Sequence, residues 1–148
     1  MALVTHPRRF DVILTENMFG DILSDEMSVI GGSIGLLASA SAGDKGALLF
    51  EPIHGSAPDI ARRDVANPAG AIASAAMLLD QALHLPDEAR ILNRALETAL
   101  VEGCRTADLD GDHGCAAFGE RVREIVETLL VRRSAIVELV SMNRGCCA

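Results

Sequence analysis

The sequence has no tryptophan, no tyrosine and only four phenylalanines. A platform of aromatic rings for stacking nucleic-acid bases is therefore missing. Lysine occurs once, as Lys45, and 13 basic residues face 21 acidic ones, for a net charge of −8. Proteins that hold phosphate backbones need the opposite balance, so no nucleic-acid partner is expected. Long hydrophobic runs are also missing. The longest runs from Ala69 to Leu79, with Gly70 and Ser74 inside it, against the roughly 20 residues that span a bilayer. The first residues place Arg8 and Arg9 after the apolar Ala2-Leu3-Val4. That order does not resemble a secretion signal, so no membrane association and a cytoplasmic location are expected. The four cysteines, Cys104, Cys115, Cys146 and Cys147, form no C-x-x-C pair, and reduced thiols are expected. No G-x-G-x-x-G follows a strand, so an ordinary Rossmann fingerprint is absent.

What is present suits one core-forming α/β domain. The chain has 148 residues, 49% hydrophobic and 23% charged, close to the size of an ordinary domain. Phe10 to Thr15 reads as a short buried strand. Met18 to Ile30 reads as a helix with one apolar stripe, stopped by Gly31-Gly32. Ser33 to Ser41 reads as loop plus strand, and Ala47 to Phe50 as a second strand. Glu51 to Ile60 holds two prolines and a glycine, which exclude a regular helix or central strand. Asn67-Pro68 is a helix start, with Asn as cap, and that helix is expected to reach about Leu83. A further helix, Asp87 to Glu102, follows Pro86 and ends at Gly103. A third, Cys115 to Leu130, carries Phe118, Val122, Ile125, Val126 and Leu129 on one face. Arg132-Arg133 is expected to interrupt it, leaving 134–148 ambiguous.

Two segments carry chemistry. Asp21 and Asp25 lie four apart, so a helix projects both carboxylates from one face. Such a pair is either a solvated acidic face or, with a hard cation between the charges, part of a Mg²⁺ or Mn²⁺ site. The other segment runs from His54 to Asn67. Its glycine and small side chains let a ligand approach the backbone. There Asp59 can accept hydrogen bonds from two ribose hydroxyls and repel a 2′-phosphate, favouring NAD over NADP. Asn67 can offer a donor and an acceptor to an adenine edge. The alternative is a rigid, proline-bounded surface loop. The acidic run Asp108-Leu109-Asp110-Gly111-Asp112 hints at a calcium loop but fails the template, with His113 at the sixth position and Gly119 at the twelfth. It is expected to be a solvent loop.

Thr15 to Asp25, Gly32-Ser33-Ile34-Gly35, Ser39-Ala40-Ser41, Glu51 to Ile60 and Ala66-Asn67-Pro68 together resemble the β-decarboxylating isocitrate/isopropylmalate dehydrogenase family, in its isopropylmalate branch. The likeness runs from Met1 to about Leu130. It implies that Asp21 and Asp25 are Mg²⁺ or Mn²⁺ ligands. It also implies that His54, Gly55, Ser56, Ala57, Pro58, Asp59, Ile60 and Asn67 cradle the adenosine half of NAD. The implied reaction is oxidation of a small 2-hydroxy acid, 3-isopropylmalate, followed by decarboxylation, in a homodimer. Related tartrate/malate-type and homoisocitrate dehydrogenases share similar loops. The resemblance further implies that residues 1–32 belong to the smaller domain, 33–130 to the cofactor-binding domain, and 131–148 to an unmatched tail. In the family the substrate arginines and the catalytic Tyr and Lys lie in a preceding half. The chain alone is therefore expected to be inactive, and at most a nucleotide-binding fragment. Two departures stand out: Ala38 replaces the usual Pro, and Arg62 replaces the usual Gly.

Overall fold

The computed structural model describes residues 1–44, 46 and 48–144, with residues 136–144 as backbone alone. A four-residue helical turn, α1 (Ala2–Thr5), and a 3₁₀ turn at Pro7–Arg9 precede α2 (Asn17–Gly31). Gly32 ends α2 at φ +101°, a conformation costly for a residue with a Cβ. A 3₁₀ turn at Ile34–Leu36 leads into β1 (Ala38–Ala42), which pairs antiparallel with β2 (Leu48–Pro52), Ala40 opposite Phe50. Then come α3 (Ala69–Gln81), α4 (Pro86–Val101) and α5 (Cys115–Arg144).

The core forms where small residues let these elements approach. α3 packs on both strands and on α4, and α4 packs on α5. At Gly70 a Cβ would meet the Leu37 carbonyl oxygen at 2.7 Å, so the helix sits on the chain entering β1 only because glycine is there. Ala69, Ala95, Leu96, Ala99, Phe118, Val122 and Ile125 form the buried cluster, with Val126 and Leu129 partly buried against it. The apolar face expected on the third helix is thus the face that packs.

Two expectations fail, each for a physical reason. Phe10 to Thr15 has a strand's composition but forms no strand, and Val12 and Leu14 stand 88% and 98% exposed. A strand needs a ladder partner, and among the described residues the sheet is the β1–β2 hairpin. The helix α2 forms where expected, but among the described residues its stripe is only partly covered: Met18, Ile22, Val29 and Ile30 are exposed, Leu23 and Met27 are half-buried, and Ser28 is the helix's buried residue. Arg132-Arg133 does not interrupt the third helix, which runs on to Arg144. Arginine is a good helix former, and Arg133 bonds Asp87 and Glu88 of α4 at 3.3 and 3.2 Å. The second strand begins at Leu48. Its expected first residue, Ala47, lies outside the described residues, as do Lys45, Cys146 and Cys147. No described helix is long and apolar enough to cross a membrane.

Candidate functional site

The segment between β2 and α3 does not fold back as a hairpin. Its prolines deny it a ladder, and Pro58–Ile60 makes a single 3₁₀ turn. The backbone turns sharply at three residues with positive φ, Ala57 at +40°, Arg62 at +64° and Asp64 at +55°. The result is one wall of an open cleft of about 850 Å³. His54, Gly55, Ser56, Ala57, Ile60 and Asn67 all line it, so six of the eight residues expected to cradle adenosine surround one space. Pro58 and Asp59 do not line it, and Asp59 is exposed beside it on the 3₁₀ turn.

The floor of the cleft is a hydrogen-bond hub that sequence reading missed. The carboxylate of Asp108 accepts from Ser33 Oγ, from Asn67 Nδ2 at 3.0 Å and from Thr106 Oγ1 at 2.5 Å. Ser33 Oγ in turn accepts from Gly35 N at 3.0 Å. Three stretches distant in sequence, the start of the hairpin, the start of α3 and the loop before α5, therefore meet at one side chain. Partial burial pushes the Asp108 carboxyl up, but the hydrogen bonds from Ser33, Thr106 and Asn67 outweigh it and hold it below its ordinary range. The acidic run around Asp108 is thus more than a solvent loop. Thr106 lies two residues from Asp108, but the other two partners lie 41 and 75 residues away, and no local pattern reveals them.

Asn67 is placed as expected and occupied differently. Its side-chain oxygen accepts from Ala69 N at 3.0 Å, capping α3, while its amide nitrogen donates to Asp108. Only 8% exposed, that side chain gives one donor and one acceptor to the protein's own groups, a structural clasp at the cleft wall that leaves its second N–H and second lone pair. His54 is half-buried, and its Nδ1 lies 3.0 Å from the Gly55 carbonyl. A carbonyl only accepts, so Nδ1 carries a proton and Nε2 remains for a ligand.

The far end of the wall is anchored on α5. Asp64 accepts from Cys115 N through its backbone oxygen at 3.0 Å and from Ala116 N through its carboxylate at 2.8 Å. It thus satisfies amides that the first turn of a helix leaves free. At Gly114 a Cβ would fall 2.3 Å from that carboxylate, so glycine alone fits the junction. Cys115 lines the cleft and Cys104 is buried, both as free thiols. Burial pushes the Cys104 thiol up, against a smaller opposing pull from Arg121.

Asp21 and Asp25 stand on α2 as expected, both exposed, with Asn17 Nδ2 3.4 Å from an Asp21 carboxylate oxygen. Their hard oxygen donors suit Mg²⁺ or Mn²⁺, and their exposure leaves room for water and substrate. They are two donors, and among the described residues no group of three or more acids, histidines or cysteines could hold an ion. They therefore fit part of such a site. They do not line the cleft, although α2 touches the Ile34–Leu36 turn at its floor.

Residues 1–122 match the family model described as isocitrate/isopropylmalate dehydrogenase. The chain is 53% identical over 122 residues to a 3-isopropylmalate dehydrogenase of Anaeromyxobacter dehalogenans, covering 82% of this chain and 35% of that one. It is 48% identical over 142 residues to that of Priestia megaterium, covering 95% and 38%. The crystal structure of isocitrate dehydrogenase from Methylococcus capsulatus superposes with a TM-score of 0.80 at 44% identity, over 85% of this chain and 38% of that one. A β-decarboxylating dehydrogenase from Thermococcus kodakarensis superposes at 0.76 and 45% identity, over 88% and 38%. The chain thus spans little more than a third of the length of these relatives. With a family match across most of its residues and this fold, it belongs to the isocitrate/isopropylmalate dehydrogenase family.

Proposed function

We propose that this chain is the cofactor-cleft portion of a 3-isopropylmalate dehydrogenase, an enzyme of leucine biosynthesis that oxidises and decarboxylates 3-isopropylmalate with NAD. The observation that carries the proposal is the cleft itself. Six residues of the loop that resembles the family's adenosine cradle line one space about the size of a nucleotide site. The relatives' names, 3-isopropylmalate dehydrogenase, support the substrate.

In this proposal the loop from His54 to Asn67 encloses the adenosine half of NAD, and the hub at Asp108 keeps that loop in register. Asp59, exposed at the rim, accepts hydrogen bonds from the ribose and repels a 2′-phosphate. Asp21 and Asp25 hold the divalent cation. When bound, Mg²⁺ or Mn²⁺ supplies polarisation of the substrate hydroxyl and charge stabilisation as CO₂ leaves. Residues 1–32 contribute nothing to the core cluster, which suits a segment of a second, smaller domain, with 33–130 in the cofactor domain. The exposed stripe of α2 suits a homodimer interface. The sequence has no tyrosine and its one lysine, Lys45, lies outside the cleft motifs. Proton-transferring groups then come from other residues of the enzyme, and the isolated chain does not turn over.

A chimera tests this directly. Residues 1–130 replace the matching segment of the Anaeromyxobacter enzyme, and reduction of NAD is followed with 3-isopropylmalate, isocitrate and tartrate. Activity with 3-isopropylmalate, lost to a chelator and restored by Mn²⁺, is expected. Asp59→Lys in the chimera should raise the NADP-to-NAD ratio of kcat/KM by about tenfold or more, as a repulsion becomes an attraction. A soluble chimera active only with another acid would overturn the substrate. An unmoved ratio would remove Asp59 from the ribose site.

A further inference from the structure

The cleft wall holds one cationic side chain that nothing among the described residues pairs with. Among the described lining residues Arg62 is the single arginine or lysine, beside the acids Asp64 and Asp108. Both acids are committed, Asp108 to Ser33, Asn67 and Thr106, and Asp64 to the first turn of α5. Arg62 takes part in no ion pair or side-chain hydrogen bond among the described residues. Arg90, Arg121, Arg123 and Arg133 pair with carboxylates, whereas several other exposed arginines do not, so it is the place on the cleft wall that sets Arg62 apart. Its backbone is unusual as well. At φ +64° Arg62 occupies the left-handed region, where a side chain with a Cβ is disfavoured. This is the position at which the family pattern has glycine, the residue that the conformation favours. A strained arginine in place of a relaxed glycine, on the wall of a cleft and unpaired, is the pattern of a residue retained for a ligand. The ligand must be an anion, because the guanidinium fork matches phosphate or carboxylate oxygens.

Resting on the nucleotide reading of the cleft, we propose that Arg62 is a cofactor-affinity determinant that binds a phosphate of the adenine nucleotide, a contact which a glycine at this position cannot make. The phosphate is either the 5′-phosphate shared by NAD and NADP or the 2′-phosphate of NADP. The two have the same chemistry toward arginine, and different probes separate them.

Three substitutions divide charge from backbone. Arg62→Ala removes the charge and keeps the Cβ, Arg62→Gly removes both, and Arg62→Lys keeps both. Calorimetric titration of the full chain with adenosine, 5′-AMP, ADP-ribose and 2′,5′-ADP reads the charge, and thermal melting reads the backbone. We expect Arg62→Ala and Arg62→Gly to weaken 5′-AMP and ADP-ribose binding about tenfold and to leave adenosine unchanged, with Arg62→Lys retaining much of the affinity. Raising salt should weaken 5′-AMP binding to the natural chain more than to Arg62→Ala. Arg62→Gly alone should melt higher, by about 2 °C or more. A loss confined to 2′,5′-ADP would assign the contact to the 2′-phosphate. Equal affinities for every phosphate probe in the natural chain and Arg62→Ala would overturn the proposal while leaving the nucleotide cleft standing. Failure of the natural chain to bind any probe would overturn both.

Discussion

Asp108 shows how one carboxylate can tie together three stretches of chain that line one cleft. Its three donors come from Ser33, Asn67 and Thr106, and losing the carboxylate strands all three. The folded state holds its pKa below the ordinary value, so ionised Asp108 stabilises the fold above a pH of about 4. That contribution is lost as pH falls through the depressed folded value. Asp108→Asn should therefore cost about 1 kcal/mol near neutrality, since water reaches the site and limits the loss. In urea unfolding, the gap between the natural chain and the variant should begin to narrow as pH drops below about 4. A gap that stays constant from neutrality through the whole acid range in which the chain remains folded would mean that the charge is not what the three donors need. At this scale the sequence is only partly legible. The prolines and small residues of His54 to Asn67 mark an irregular segment, which the structure places on a cleft wall, and Asn67-Pro68 marks a helix start. The commitment of Asn67 to Asp108 depends on a partner 41 residues away, and no local pattern carries that.

Among the elements, α3, α4 and α5 could be read because each has a capping or stopping residue and a face that finds a partner. Pro86 opens α4, Gly103 follows it at φ +89°, and Phe118, Val122 and Ile125 recur along one side of α5. Phe10 to Thr15 fails as a strand for the opposite reason, and α2, which forms where a helix is expected, leaves much of its stripe uncovered. Their apolar patterns are real, but burial is a property of a pair, and neither is fully paired among the described residues. The consequence is measurable. Phe118 is fully buried, and Phe118→Ala should cost about 3–5 kcal/mol in denaturant unfolding. Ile22 is 54% exposed despite sitting on the apolar stripe, and Ile22→Ala should change stability by less than about 0.5 kcal/mol. A large cost at Ile22 in the isolated chain would show that α2 is covered there, by a second copy or by residues 10–15.

For the molecule as a whole, the division of labour follows where the core lies. The helices α3 to α5 and the hairpin form a packed body that shapes the cleft, whereas residues 1–32 carry the metal-type carboxylates on a largely uncovered helix. We propose that this body presents an adenine-nucleotide site between the His54–Asn67 loop and the floor at Ser33–Gly35. A ¹⁵N-labelled sample of the chain titrated with ADP-ribose, followed amide by amide, tests it most directly. Saturable shifts are expected at Ile34, Gly35, His54 to Ala57, Ile60 and Asn67, with α4 and the exposed stripe of α2 unmoved. Shifts centred on α2 or α4, or no saturable shift at millimolar ligand, would contradict it.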